Sequence, residues 1–377
     1  MNIIQDPNVQ YAVYLLLRCL TIAFSMFFFF RKRYIGKSGD KIPYLLLLIM
    51  LYMCINIPAG DYWTYKYWFE NSDKFTHLEQ IWNVLREAIP ESYELFRGIV
   101  WGTGLLAFVG IVKLSKSNIT VCLVLFATFY IMTFGYARSA IAYMLISLAY
   151  IMYIQDRPLL KNNLFNNLLI LALLATGVLM HRSMLILILL LVISERVRIR
   201  RNSISALIIG FPIIVVILKF AFLPVSNFLL SGADDINEMA QNYLQEENTG
   251  LWKFFVEILH NLPLLVLYGF SLKSSMLSDN QQIKKMANAS FLIIYAAFVM
   301  FFTYSGNSLI FFYRTLYMAH PLMLILIAKE ITSKRDMKLP LVMAFVVEIY
   351  YLYNSIMTFM NDPMYIINQM NDRYLYY

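Results

Sequence analysis

Charged residues are scarce in this sequence, and their scarcity excludes a water-soluble fold. Only 14% of the 377 residues are charged and 60% are hydrophobic, whereas soluble domains carry roughly 25% charged residues. A soluble fold of this length would lack the polar residues needed to cover its surface. The apolar residues instead form runs of 17 to 21 between short polar stretches, the length at which a helix crosses a hydrocarbon core of about 30 Å.

Cysteine and the common enzyme motifs are also lacking. The three cysteines, Cys19, Cys54 and Cys122, lie in apolar runs without metal-ligand spacing, and we expect them to be buried apolar residues. The sequence contains no Walker loop, Gly-x-Gly-x-x-Gly, His-Glu-x-x-His or Gly-x-Ser-x-Gly motif. These absences argue against nucleotide-driven or cofactor chemistry, and we predict neither a cofactor nor a metal. Any energy source would arrive with the substrate or as an ion gradient.

The apolar runs predict an all-α integral membrane protein with about twelve transmembrane helices, in which residues 1–377 form a single polytopic domain. Continuous hydrophobicity without alternation excludes a membrane barrel. The first run ends in Arg31, Lys32 and Arg33 without a small-residue cleavage site, so we expect it to remain as a span. Two places stay open: residues 164–194 could instead form one bent helix plus a re-entrant piece, and the division into two spans near Gly135 could be wrong. The predicted spans are 11–30, 42–58, 95–112, 118–135, 138–155, 164–180, 183–194, 204–223, 251–271, 287–304, 308–328 and 339–358.

Basic residues in the loops predict the orientation. With the N-terminus outside, the inside loops carry twenty Lys and Arg residues and the outside segments carry six. The net charge of +8 is therefore explained by membrane topology rather than by nucleic-acid binding. The two longer loops, 59–94 and 224–250, fall outside. Aromatic residues at 61–69 predict a segment on the membrane surface, and the acidic second loop is either an outer lid or a plain solvated loop.

Charges at membrane depth are costly and are therefore candidates for function. The predicted topology places the informative ones near the outer surface: Asp61, Arg138, His181, Arg182 and Arg314. Grouped guanidinium groups favour an anionic partner, and arginine binds phosphate oxygens in a bidentate manner. A lipid-linked phosphate or diphosphate fits this environment.

The competing interpretation is that these arginines reach to the interface and anchor their helices. We favour that interpretation for Arg97 and Lys253, and a function for Arg138 and Arg314. Four ionisable residues lie in the middle of predicted spans and form either a proton relay or, as we favour, interhelical hydrogen bonds: Glu257, His260, His320 and Glu348.

Four short motifs resemble a known family when they are taken in order. They are Gly60-Asp61-Tyr62 followed by Tyr65, Arg138 before a small-residue helix start, His181-Arg182-Ser183, and Tyr313-Arg314 followed by Tyr317. Together they resemble the EpsG-like branch of bacterial polysaccharide polymerases, which is related to the Wzy O-antigen polymerases. The resemblance covers about residues 40 to 330.

The resemblance implies a GT-C-like glycosyltransferase architecture and a polymerase of the bacterial inner membrane. Such an enzyme joins oligosaccharide repeat units carried on undecaprenyl diphosphate at the periplasmic or outer face. A chain-length regulator and a flippase are implied as partners.

Site roles compatible with this chemistry can be assigned to the candidate residues. Arg138, Arg182 and Arg314 would bind the leaving diphosphate without a metal. Asp61 or His181 would deprotonate the incoming sugar hydroxyl. Sugar contacts are predicted for the remaining motif residues, Tyr62, Tyr65, Tyr313 and Tyr317.

Two other classes of function remain open at this point. A lipid-linked oligosaccharide flippase or ion-coupled transporter would have inverted repeats and substrate groups near the midplane, and the two halves of the sequence show no convincing repeat. An O-antigen ligase or a membrane acyltransferase would use the same face. The products made from a defined lipid-linked substrate would separate these enzymes from a polymerase.

Overall fold

The structure is a computed structural model, and most of the residues that it describes are helical. The described residues are 7–30, 42–56, 62–71, 80–89, 92–130, 137–155, 158–159, 162–197, 207, 209–217, 251–303, 308–333 and 337–361. The absence of strands in this part of the chain confirms the predicted all-α class.

Fourteen α-helices are labelled here in chain order. They are α1 (Pro7–Phe30), α2 (Ile42–Asn56), α3 (Tyr62–Glu70), α4 (Gln80–Ala88), α5 (Tyr93–Leu114), α6 (Ile119–Leu125), α7 (Ala137–Tyr153), α8 (Asn163–Met180), α9 (Met184–Arg196), α10 (Leu251–Met276), α11 (Gln281–Thr303), α12 (Ser308–Tyr317), α13 (His320–Thr332) and α14 (Lys338–Asn361). A π-helical segment, Phe126–Tyr130, continues α6 directly, and residues 209–217 are also helical.

Several helices are suited to a membrane, which makes this a multi-pass membrane protein. Five helical stretches in the described residues are long and apolar enough to cross one: Tyr11–Phe30, Tyr93–Leu114, Asn163–Met180, Gln281–Thr303 and Lys338–Asn361. Shorter apolar helices accompany them. The count of twelve spans stays a prediction, because the predicted span 204–223 is described only in part.

The centre of the bundle is formed by α6, α7 and α13. Residues 121–129, 140–147 and 320–328 are buried without interruption. Small side chains allow close approach of the helices around them. At Gly177 on α8, a Cβ atom would lie 2.6 Å from Cγ1 of Ile146 on α7, so α8 packs on α7 with almost no gap. The outer helices α8 and α14 instead present leucine, valine and tyrosine outward, as lipid-facing helices do.

Hydrogen bonds at one end of the bundle join the ends of α5, α7 and α9 to the start of α11. Gln155 Nε2 donates to the carbonyl of Leu114 over 2.9 Å. The Tyr150 hydroxyl donates to Glu195 over 2.9 Å, and Lys285 forms an ion pair with Glu195 over 2.7 Å. We refer to this as the Glu195 end. Because α7 begins at Ala137, its opposite end carries Arg138, and we refer to that as the Arg138 end.

Helix boundaries differ from the prediction where polar residues continue a helix. The predicted span 287–304 starts at Gln281, six residues earlier. Asn280 explains this, because its side chain accepts from the backbone of Gln282 at 2.9 Å and caps the first turn. The hydrophobic pattern detects only the apolar part of such a helix.

The predicted single helix 308–328 is wrong. It is divided into α12 and α13 by a turn at Met318 and Ala319. Pro321 has no backbone N–H to donate to the carbonyl of Tyr317, four residues earlier, so an uninterrupted helix loses a hydrogen bond there. The 164–194 region, for which an alternative was open, forms two separate helices joined by the turn at 181–183.

The structure describes part of one of the two predicted outer loops and none of the other. The first, 59–94, contains the short helices α3 and α4. The second, 224–250, lies outside the described residues.

Candidate functional site at the Arg138 end

Arg138 is held against α3 by its side chain. Its Nε donates a hydrogen bond to the Tyr65 hydroxyl, and its guanidinium carbon lies 5.7 Å from the centre of the Tyr65 ring. Arg138 is half-buried in the second position of α7. Two of the predicted site residues, 73 positions apart in sequence, are therefore in direct contact.

Tyr65 is fixed by a group of buried rings, which we define as the aromatic cluster: Tyr65, Trp68, Phe69, Trp82, Tyr93 and Phe96. The Tyr65 ring stacks on Trp82 with centroids 6.0 Å apart and meets Trp68 edge-on at 5.5 Å. Trp82 in turn contacts Phe96 at 5.9 Å. Tyr65 is 4% exposed and Trp82 is fully buried. The short helices α3 and α4 are therefore packed into the bundle through their aromatic faces.

The aromatic cluster also holds the turn that carries His181. Trp82 Nε1 donates to the backbone carbonyl of Met180 over 3.0 Å, and Met180 is the last residue of α8. His181 caps this helix, its backbone N–H bonding the Gly177 carbonyl over 3.1 Å. A continuous series of contacts thus runs from Arg138 through Tyr65 and Trp82 to the residue before His181.

The residues of the turn differ in exposure. His181 is half-buried, whereas Arg182 and Ser183 are exposed. The backbone of Met184 bonds the His181 carbonyl over 3.0 Å, so the chain reverses tightly into α9. The imidazole and the Arg182 guanidinium consequently sit at the same end of the bundle as Arg138.

Two further arginines, Arg86 and Arg97, contact residues of the aromatic cluster. Arg86 donates from Nε to the Phe69 carbonyl over 2.9 Å and lies 5.7 Å from the Phe69 ring centre. Arg97 lies 4.4 Å from the Trp101 ring centre and donates to the Tyr93 hydroxyl over 3.3 Å. Arg97 is 2% exposed. It is therefore buried beside aromatic rings of its own helix, α5, and does not reach the interface as the anchoring interpretation had it.

Arg314 belongs to a second group of residues at the break between α12 and α13. Arg314 is half-buried in the last turn of α12, which packs on α11. Tyr313 stacks on Tyr317 at 6.0 Å, and Tyr317 contacts the buried His320 at 4.9 Å. His320 thus packs against aromatic rings, and the two tyrosines of the fourth motif, for which sugar contacts are predicted, stack on each other.

Asp61 lies outside the described residues. Tyr62 is the first residue of α3, so Asp61 immediately precedes the helix that carries Tyr65. No group of three His, Cys, Asp or Glu side chains within the described ranges could hold a metal ion.

Sequence reasoning missed Arg18, the one charged residue within the first apolar run. Its Nη2 lies 2.6 Å from Oε2 of Glu348 on α14, and its Nη1 donates to the carbonyls of Ala127 and Thr128. The isolated charge was the signal that could have found it. For Glu348, the pairing supports interhelical bonding, the interpretation favoured from sequence.

These observations define a class: an all-helical, multi-pass membrane protein with a cationic site backed by buried aromatic rings at one end. The family model described as the EpsG family matches residues 42–371, which is most of the chain. The protein belongs to the EpsG family, whose members are similar to Wzy-type polymerases. Membership indicates a membrane polysaccharide polymerase-like function and, at a coarse level, glycosyltransferase-like activity. No curated protein and no solved structure matches the chain.

Proposed function

We propose that this protein is a Wzy-type polysaccharide polymerase. It joins oligosaccharide repeat units carried on undecaprenyl diphosphate, and it needs no metal. The Arg138 end faces the periplasm or cell exterior of a bacterial inner membrane, as the basic residues of the opposite loops favour. The observation that carries the proposal is the hydrogen bond from Arg138 to Tyr65, whose ring stacks on Trp82, the donor to the Met180 carbonyl before the His181 turn.

The position of Arg138 suits a diphosphate ligand. The bond from Nε to the Tyr65 hydroxyl orients the guanidinium, and we assign phosphate binding to its two terminal nitrogens, which form one edge of the guanidinium fork. Two parallel bonds from that edge match two oxygens of a phosphate group. Arg182 in the nearby turn and Arg314 at the α12–α13 break supply further positive charge to the leaving group.

The reaction transfers a glycan from one lipid diphosphate to a sugar hydroxyl on another. The hydroxyl oxygen bonds to the anomeric carbon, the bond from that carbon to the diphosphate oxygen breaks, and the hydroxyl proton passes to Asp61 or His181. The arginines stabilise the negative charge that develops on the departing diphosphate. Cleavage of this bond drives the transfer, so a nucleotide is not required.

Sugar binding is assigned to the four motif tyrosines, with different roles. Tyr65 is buried and stacked on Trp82, so its contribution is through the hydroxyl and through Arg138 rather than through its ring face. Tyr313 and Tyr317 are half-buried, and with Tyr62 they are the candidates for stacking on a sugar ring.

The test is turnover of a synthetic polyprenyl-diphosphate repeat unit by the purified full-length protein, with product length as the readout. Arg138→Ala and Arg314→Ala are expected to reduce polymerisation by about 100- to 1,000-fold, the usual effect of removing one donor to a developing anion. Arg196→Ala, which removes an exposed arginine at the Glu195 end, is the matched control and should leave turnover unchanged.

Three results would overturn the proposal. Full-length polymer from both site variants would remove the arginines from the mechanism. Movement of lipid-linked sugar across vesicles without joining of units would identify a transporter, and transfer only to a lipid A core would identify a ligase.

A further inference from the structure

The ion pair between Arg18 and Glu348 lies inside the bundle and has no part in the chemistry proposed above. Arg18 is 5% exposed. It bonds two neighbouring helices at once: Nη2 is 2.6 Å from Glu348 on α14, and Nη1 donates to Ala127 and Thr128 at 3.0 and 2.7 Å. Three elements, α1, α14 and the π-helical segment, therefore meet at one guanidinium.

The two carbonyls belong to the π-helical segment Phe126–Tyr130. A π-helical turn departs from the regular α-helical ladder, and such turns occur frequently at functional sites. Thr128 is bonded a second time within the bundle, since its hydroxyl contacts the Ser25 hydroxyl at 2.6 Å and the Val124 carbonyl at 2.7 Å. The π-helical segment is thus held by α1 at two places, at its backbone through Arg18 and at the Thr128 side chain through Ser25.

The position of this segment links it to the site. The start of α6 and the end of α7 both lie at the Glu195 end, so heights along the bundle can be compared using a rise of about 1.5 Å per residue. Thr128 is nine residues beyond the start of α6, or about 14 Å, and Arg138 is fifteen residues from the end of α7, or about 23 Å. Thr128, whose carbonyl accepts from Arg18, therefore lies about 9 Å below Arg138 along the bundle, on the π-helical segment that precedes α7 in the chain.

We infer that Arg18 and Glu348 are positioning residues for the Arg138 site. They fix the π-helical segment and thereby the height and rotation of the start of α7. The inference rests on the proposed function in that it assigns the pair to the diphosphate-binding site. A buried ion pair is a poor source of stability, because apolar side chains of similar size often stabilise a protein equally well. What apolar residues cannot replace is the pair of hydrogen bonds to Ala127 and Thr128, which sets the register of these helices.

The test separates positioning from stability by removing both charges together. The double variant Arg18→Met, Glu348→Leu leaves no unpaired buried charge, so we expect normal membrane insertion and a thermal midpoint in detergent within a few degrees of wild type. Its kcat for the synthetic repeat unit should fall at least tenfold, and its affinity for undecaprenyl diphosphate should fall about tenfold. Undecaprenol, which lacks the diphosphate, is the ligand control.

A matched control removes an ion pair of similar length at the opposite end. Glu195→Gln with Lys285→Met breaks the 2.7 Å contact between α9 and α11 and should leave both kcat and diphosphate affinity unchanged. If the Met/Leu double variant does not insert into the membrane, the single variant Arg18→Lys tests the positioning role instead. A single ammonium on a shorter side chain can pair with Glu348 but cannot also reach both carbonyls, so kcat should fall severalfold at a normal thermal midpoint.

The two proposals fail in different ways. Wild-type protein that binds undecaprenyl diphosphate but makes no polymer would overturn the polymerase function, and weaker binding by the double variant would still support the positioning role. Polymer made at the wild-type rate by the double variant, or by Arg18→Lys where the double variant does not insert, would overturn the positioning role and leave the polymerase function intact.

Discussion

Replacing Tyr65 by phenylalanine tests how Arg138 is held in place. The change removes one oxygen atom, the acceptor for Arg138 Nε. The ring itself remains, with its stacking on Trp82 at 6.0 Å and its edge contact with Trp68 at 5.5 Å. The fold is therefore expected to persist while the guanidinium loses the bond that sets its direction.

The size of the effect follows from the kind of bond that is lost. Hydrogen bonds to charged groups contribute about 1.5 to 3 kcal/mol. Arg138 is half-buried rather than fully buried, so water can replace part of the interaction and the lower figure applies. A loss of about 1.4 kcal/mol corresponds to a tenfold change in rate. We expect Tyr65→Phe to reduce polymerisation about tenfold, with a thermal midpoint within a few degrees of wild type.

The assay is the initial rate of repeat-unit joining by purified protein, normalised to folded protein from a thermal melt. Tyr150→Phe is the matched control, because it also removes a hydroxyl bonded to a charged side chain, Glu195, but at the opposite end of the bundle. It should lower stability and leave the normalised rate unchanged. A normalised rate for Tyr65→Phe equal to wild type would refute the reasoning.

Two further substitutions test the packing that supports the site. Gly177→Ala should cost about 1 to 3 kcal/mol of stability by overpacking, since its Cβ would lie 2.6 Å from Cγ1 of Ile146; a thermal melt measures this. Adding Ile146→Ala to Gly177→Ala should restore part of the lost stability. Gly102→Ala is the control and should be harmless, because no atom lies within 4 Å of its added Cβ. Equal thermal midpoints for Gly177→Ala and Gly102→Ala would contradict the packing argument. Trp82→Phe removes the donor to the Met180 carbonyl and should lower stability by about 1 kcal/mol and the normalised joining rate severalfold, whereas an unchanged rate would separate the turn from catalysis.

Hydrophobic runs predicted most of the helices because the membrane sets both their length and their composition. The spans predicted at 95–112 and 164–180 appear as Tyr93–Leu114 and Asn163–Met180. What the runs cannot reveal is a local event inside an apolar stretch. The π-helical segment occurs within uniformly hydrophobic sequence, where a window average is nearly constant. The break at Pro321 is marked by the proline itself, which such an average does not register.

The candidate site was predictable in part, because charged residues are energetically unfavourable in lipid and therefore indicate function. Arg138 and the His181 turn were predicted at the same end, and contacts through Tyr65 and Trp82 now join them. The partners themselves were not predictable. In the sequence, nothing distinguishes Trp82 from the other aromatic residues of its loop. Its hydrogen bond to the carbonyl of Met180, 98 residues away, depends on tertiary structure alone.

Arg18 shows why a buried partner escapes sequence reasoning even when the charge itself is visible. One arginine among some twenty apolar residues barely changes the hydropathy of the first run, and its partner Glu348 lies 330 positions away. In water, the apolar face of a helix marks its buried side. In lipid both sides are apolar, as α8 shows by presenting leucines outward while Gly177 packs on α7. Hydrophobicity then carries no information about which face meets the protein, and the polar and aromatic contacts must fix the arrangement. These contacts include the bond between Arg138 and Tyr65, at the place where we propose that a charged lipid head group binds.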